Sequence, residues 1–121
     1  MVSRNKKHSD SAKGIPFGES KCVICGWNKL DYKGRTLVIG SHVRPFKNQS
    51  YFDSFNNIIP LCPNHHIEFD RGNLMIDPES KIIFHINKSD EFHGKKIVGK
   101  INHVLKGYFD YHKKHIFKGS E

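Results

Sequence analysis

The chain has 121 residues, enough for one hydrophobic core and too few for two, so a single domain is expected. Lys and Arg number 20 against 12 Asp and Glu, a formal net charge of +8, which favours a polyanionic partner such as nucleic acid or an anionic membrane surface. No run approaches the roughly 18 consecutive apolar residues of a membrane span, and "MVSRNKKHSDSAKG" holds no apolar signal-peptide core, so a soluble cytoplasmic protein is expected.

Residues 1–19 are polar and basic, rich in Ser, Lys and Gly, without helical or strand periodicity; they read as a basic flexible arm ahead of a domain at 20–121. The stretch "RTLVIGSHV", 35–43, is apolar and β-branched and reads as a strand ending near His42, a place from which a reactive side chain can project. Pro45 stops regular pairing, and "FKNQSYFDSFNN" reads as a polar-aromatic loop. After Pro63 the run "NHHIEFDRG" reads as a short helix that Gly72 terminates, with His66 and Asp70 at i and i+4 on one face. "NLMID" and "KIIFHI", joined by "PES", suggest a hairpin. From Val98 onward apolar residues recur at helical spacing, interrupted by Gly107, predicting one or two closing amphipathic helices. The fold class expected is α+β.

Three cysteines cannot all pair within one chain, and their placement does not resemble a disulfide framework. Cys22-x-x-Cys25 followed by Cys62-x-x-His65 has instead the paired spacing of a four-ligand zinc site, each pair on a turn that aims two donors at one ion. The competing reading makes Cys62 a core cysteine and the first pair a coincidence. A zinc ion held by Cys22, Cys25, Cys62 and His65 would leave the adjacent His66 for another task.

"GSHVRPF" followed by "FNNIIPLCPNHHIEFDRG" resembles the HNH endonuclease family, in which a histidine at a strand end, a central asparagine and a residue on the following helix form the ββα-metal motif. The resemblance covers about residues 20–86, with the core motif at 35–76, and falls on His42, Asn57 and His66. It implies a small ββα-metal domain with a zinc knuckle and C-terminal helices. It implies His42 as general base, Asn57 as brace of the loop carrying that base, and His66 as ligand of a divalent cation, Mg2+ or Mn2+. A histidine suits the first task because an unperturbed pKa near 6.5 leaves much of it neutral at physiological pH.

The family often has an aspartate before the base; here stands Ser41, a poor ligand at best. A subset of the family has a small residue there and an "H-x-x-F-D-x-G" helix, and "HIEFDRG" makes Asp70 a candidate for the missing ligand. Asp70 can equally pair with Arg71 or Arg44, or accept from a histidine N–H. Arg44 offers a fork of donors for a phosphate oxygen, or a surface ion pair.

Among the remaining candidates, His112 and His115 at i, i+3 suit a solvated helix face better than a metal. Lys95, Lys96, Lys113 and Lys114 offer non-specific phosphate attraction or solubility. Trp27 is expected to pack on the zinc turn, and most of Phe46, Tyr51, Phe52 and Phe55 to join the core, with one exposed aromatic free to wedge into a groove.

The function implied by the resemblance is hydrolysis of phosphodiester bonds in double-stranded DNA, leaving 5′-phosphate and 3′-hydroxyl ends, in a restriction or phage-defence setting. The rival is a zinc-stabilised DNA-binding module made inactive by Ser41; a toxin with the same chemistry would differ only in setting. One such domain nicks a strand, and a homodimer is the simplest way to cut two.

Overall fold

Turn chemistry and two short buried strands account for the first half of the fold, described here for residues 21–45 and 52–119 of a computed structural model. The arm expected at 1–19, together with Phe46 and Tyr51, lies outside the described residues. The chain enters through a knuckle at residues 22–27, closed by Gly26 N–H donating to the Cys22 carbonyl at 2.8 Å, with Gly26 in the left-handed region at φ 79°. Strand β1 (Ile39–His42) follows and pairs antiparallel with β2 (Ile58–Leu61) in the register Ile39–Leu61, Gly40–Pro60, Ser41–Ile59 and His42–Ile58. β1 is shorter than the 35–43 run and does end at His42. No strand was legible at 58–61, because Pro60 lacks the N–H that a ladder needs. Its carbonyl accepts instead from Val23 N at 2.9 Å, tying the knuckle to the sheet.

Between the strands a 3-10 turn (Phe55–Asn57) ends the loop. Helix α1 (Pro63–Asp70) begins as its sequence suggests, with Pro63 in the first turn and the Cys62 sulfur accepting from His65 N as N-cap. It ends at Gly72, φ 83°. There a Cβ would also collide with the carbonyl oxygen of Ile116, and the Gly72 carbonyl accepts from Lys118 N at 2.9 Å. The expected hairpin is present as β3 (Leu74–Ile76) antiparallel to β4 (Ile83–His85).

The C-terminal segment departs from its periodicity. Residues 98–105 are turns, held where Val98 N and Gly99 N both donate to the Val23 carbonyl, at 2.8 and 3.0 Å. Helix α2 (Lys106–Tyr111) starts just before Gly107, which lies inside it with open space at its Cβ position and interrupts nothing. A wider π turn (His112–Ile116) continues it. One core joins every layer: Val23 and Ile24 of the knuckle, Ile59 and Leu61 of β2, Phe69 of α1, Leu74, Ile76 and Ile83 of the hairpin, and Phe109 of α2. The described residues thus form a small mixed α/β domain with two two-stranded sheets and short helices. Among the described residues no helix is long and apolar enough to cross a membrane.

His112 corrects its expectation of a solvated face. It is 2% exposed and lies flat on Phe69, ring centroids 3.8 Å apart at 8°, with Nε2 donating to the Phe69 carbonyl at 2.8 Å. His115 is exposed and tilts against Tyr111.

Candidate active site and metal knuckle

The knuckle turn and the N-cap of α1 bring four donors to one point. The ligand atoms of Cys22, Cys25, Cys62 and His65 lie within 4.8 Å of one another. Sulfur-to-Nδ1 distances to His65 are 3.6 Å from Cys22 and 3.4 Å from Cys62, and Cys25 Sγ is 4.0 Å from Cys62 Sγ. A tetrahedral zinc with its ordinary bond lengths requires edges of about 3.8 Å between sulfurs and about 3.6 Å between sulfur and nitrogen. The cluster therefore fits a zinc knuckle. Trp27 and Phe92 pack against the core beside it, Phe92 edge-on to the His65 ring at 4.9 Å.

The electrostatics of the cluster describe a site short of positive charge. Burial raises the Cys22 thiol, but hydrogen bonds from His65 and the backbone of Cys62, Cys25 and Ile24 outweigh it and bring the thiol down to about 6. Burial pushes Cys25 up to about 12, with the charge of Cys22 adding to it against a backbone hydrogen bond from Trp27. Burial also raises Cys62. Burial disfavours the charged form of His65, yet Cys22, Glu68 and Asp90 prevail and raise its pKa. A divalent cation is the group that would let all three sulfurs ionise together.

A second constellation forms where β1 ends against α1. Ser41, fully buried, places its hydroxyl 3.3 Å from Asp70 Oδ1 and donates to it. The other oxygen, Oδ2, is 3.2 Å from His66 Nε2. His66 Nδ1 is buried and has no hydrogen-bond partner among the described residues. Ser41, His66 and Asp70 are therefore one linked set, with one Asp70 oxygen taken by the Ser41 hydroxyl and the other facing the His66 ring. His42, next after Ser41, is 11% exposed at its side chain and its Nε2 is 2.7 Å from Asp53 Oδ1. Asp53 escaped the sequence reading, since a single carboxylate in a polar loop carries no spacing signal.

Asn57 is fully buried and spends its amide on the main chain. Oδ1 accepts from Arg44 N at 2.9 Å, and Nδ2 donates to the carbonyls of Arg44 at 2.8 Å and Phe52 at 2.6 Å. Arg44 itself makes no surface ion pair among the described residues; its guanidinium lies between two rings, 4.2 Å from the centroid of Phe52 and 4.1 Å from that of Tyr111. Phe52 is buried, and Phe55 is the exposed aromatic of the described loop, 41% exposed beside His103.

A third group, Glu68, His85 and Asp90, also clusters within 4.8 Å. His85 Nδ1 accepts from Asn87 N at 2.9 Å, so the proton of the neutral ring sits on Nε2 and is given to Glu68 Oε2 at 2.7 Å. The nitrogen facing the carboxylates is a donor, and the group is a hydrogen-bond network rather than a ligand set.

Two antiparallel strands, a loop and a helix presenting histidines beside a Cys3His knuckle define the ββα-metal class of nuclease domain. Residues 22–77 match the family model described as HNH endonuclease. Among solved structures, a chain titled "Modification dependent TagI restriction endonuclease" shares the fold, with a TM-score of 0.70 at 23% identity. The match covers 98% of this chain and 41% of that one, so this chain spans less than half the length of that neighbour. No curated protein matches it.

Proposed function

We propose that the chain is a metal-dependent DNA endonuclease that hydrolyses phosphodiester bonds to 5′-phosphate and 3′-hydroxyl ends, with residues 20–121 as its nuclease domain. The observation that supports this best is the Ser41–Asp70 hydrogen bond at 3.3 Å. It joins the strand end carrying His42 to the helix face carrying His66, so base and cation ligands share one locus.

In this reading His42 takes the proton of the attacking water, and Asn57 holds the loop by its grip on Arg44. Arg44 presents guanidinium N–H groups to a phosphate oxygen. The donor set fits a divalent cation: an imidazole nitrogen, Nε2 of His66, and a carboxylate oxygen of Asp70 face one another at 3.2 Å. His66 and Asp70 would hold Mg2+ or Mn2+, which would stabilise charge on the phosphate and on the departing 3′ oxygen. Zinc is the ion proposed for Cys22, Cys25, Cys62 and His65, with a structural role. Double-stranded DNA is the proposed substrate, homodimerisation the proposed route to two cuts, and restriction, the activity in the structural neighbour's name, the proposed setting.

The test is plasmid cleavage by zinc-loaded protein with added magnesium or manganese, on methylated and unmethylated DNA, for wild type, His42→Ala and His66→Ala. Metal-dependent nicking or linearisation, lost in both variants while zinc content is kept, is expected. DNA binding without cleavage under every metal would instead identify an inactive binding module.

A further inference from the structure

We propose that Asp53 is a positioning residue for the base: its carboxylate holds the Nε2–H of His42 and so fixes the tautomer whose lone pair is on Nδ1. The inference rests on the reading of His42 as general base.

Three observations carry it. Asp53 is buried, 2% exposed at its side chain, and its Oδ1 is 2.7 Å from His42 Nε2, the short separation of a charge-assisted bond. A carboxylate there accepts only, so Nε2 must be the donor and the basic lone pair falls to the other nitrogen. Further, Asn57 fixes the spacing of the pair. One amide binds Arg44, two residues beyond His42, and the Phe52 carbonyl, one residue before Asp53. Base and carboxylate are thereby held on two chain segments clamped by the same buried side chain.

The hydrolytic step then balances. The water oxygen bonds to phosphorus while its proton passes to Nδ1 of His42. The bond from phosphorus to the 3′ oxygen breaks, and that oxygen takes a proton from solvent. The imidazolium formed is paired with the Asp53 carboxylate until it returns its proton to solvent. In the wrong tautomer Nδ1 carries a hydrogen and accepts nothing, which in an analogous histidine–aspartate pair lowers turnover by about 10⁴.

The test compares Asp53→Asn with wild type and His42→Ala in plasmid cleavage, beside the ¹⁵N shifts of the His42 ring, whose signal is the one lost in His42→Ala. Asp53→Asn should keep zinc, melting temperature and KM within about twofold while kcat falls about 10²- to 10⁴-fold. Its ring should shift from the Nε2–H toward the Nδ1–H form. Wild-type turnover in Asp53→Asn beside an inactive His42→Ala would overturn the proposal alone. Cleavage by His42→Ala at the wild-type rate would overturn the base reading and the proposal with it. Should Asp53→Asn not fold, the wild-type spectrum decides: an Nε2–H ring supports the proposal and an Nδ1–H ring overturns it.

Discussion

Asn57 grips the main chain of Arg44 from both sides, accepting from its N–H at 2.9 Å and donating to its carbonyl at 2.8 Å. A side chain that mimics a neighbouring strand in this way removes two backbone groups from the list that a buried loop must satisfy. Asn57→Ala removes three hydrogen bonds, those to the Arg44 N–H, the Arg44 carbonyl and the Phe52 carbonyl. Each lost bond costs about 1 kcal/mol or more, so a loss of about 3 kcal/mol in a urea melt is expected, with cleavage abolished. Asn57→Asp is predicted to be no better, because it retains the acceptor but aims a carboxylate at two carbonyl oxygens.

Among the described residues Arg44 is held by aromatic faces rather than by a carboxylate, an arrangement that suits binding of an anion. Tyr111, the last residue of α2, supplies one face and Phe52 the other. A flat guanidinium stacks in such a slot where an ammonium does not. Tyr111→Leu should weaken DNA binding several-fold and Arg44→Lys by at least as much. Tyr111→Phe, which preserves the face, should bind as wild type does. Filter binding at fixed ionic strength measures all three, and equal weakening by Tyr111→Leu and Tyr111→Phe would assign the effect to the hydroxyl.

The parts of the fold legible in the sequence are those governed by local rules. The Cys-x-x-Cys and Cys-x-x-His turns, the proline-led start of α1, its glycine stop and the β3–β4 hairpin each follow from residues within one turn of one another. What stayed hidden is non-local. β2 is a strand because Ile58, Ile59 and Leu61 are all buried against β1 and the core, and Pro60 gives no hint of that. The helical spacing of apolar residues from Val98 onward does not reveal that Val23 uses the backbone N–H groups of Val98 and Gly99. The same holds at the candidate site. His42, Asn57, His66 and Asp70 stand out through motif spacing, whereas Asp53, Tyr111 and the Ser41–Asp70 bond depend on which segments meet in three dimensions.

Removal of the knuckle cation should unfold the domain rather than merely silence it. The cluster anchors Cys22 and Cys62, both part of the core, and no disulfide replaces it, since all three cysteines are free. Structural zinc contributes on the order of 10 kcal/mol, comparable to the whole stability of a small domain. A strong chelator at neutral pH should therefore abolish the cooperative melting transition, and zinc should restore it while magnesium does not. Retention of a sharp transition after full metal removal would show that the core alone suffices.

His112 makes stability depend on pH through a neutral ring. Burial among α1 and α2 lowers its pKa from 6.5 to about 4, and the hydrogen bond to the Phe69 carbonyl opposes that shift only in part. The folded pKa thus lies below the unfolded one, so between these values the unfolded chain binds a proton that the native state refuses. The contribution is fully present above about pH 6.5, falls as pH is lowered, and is exhausted near pH 4. Between pH 7.5 and 5.5 it amounts to about 1 kcal/mol. Carboxylates, other histidines and the knuckle titrate as well, so the informative quantity is the difference in slope between wild type and His112→Phe, both in excess zinc. Phenylalanine keeps an aromatic face against Phe69 and has no proton to gain, so its stability should fall less steeply with acid. Parallel slopes in urea melts at the two pH values would mean that His112 takes up its proton equally in the folded and unfolded chain, the Phe69 carbonyl offsetting its burial.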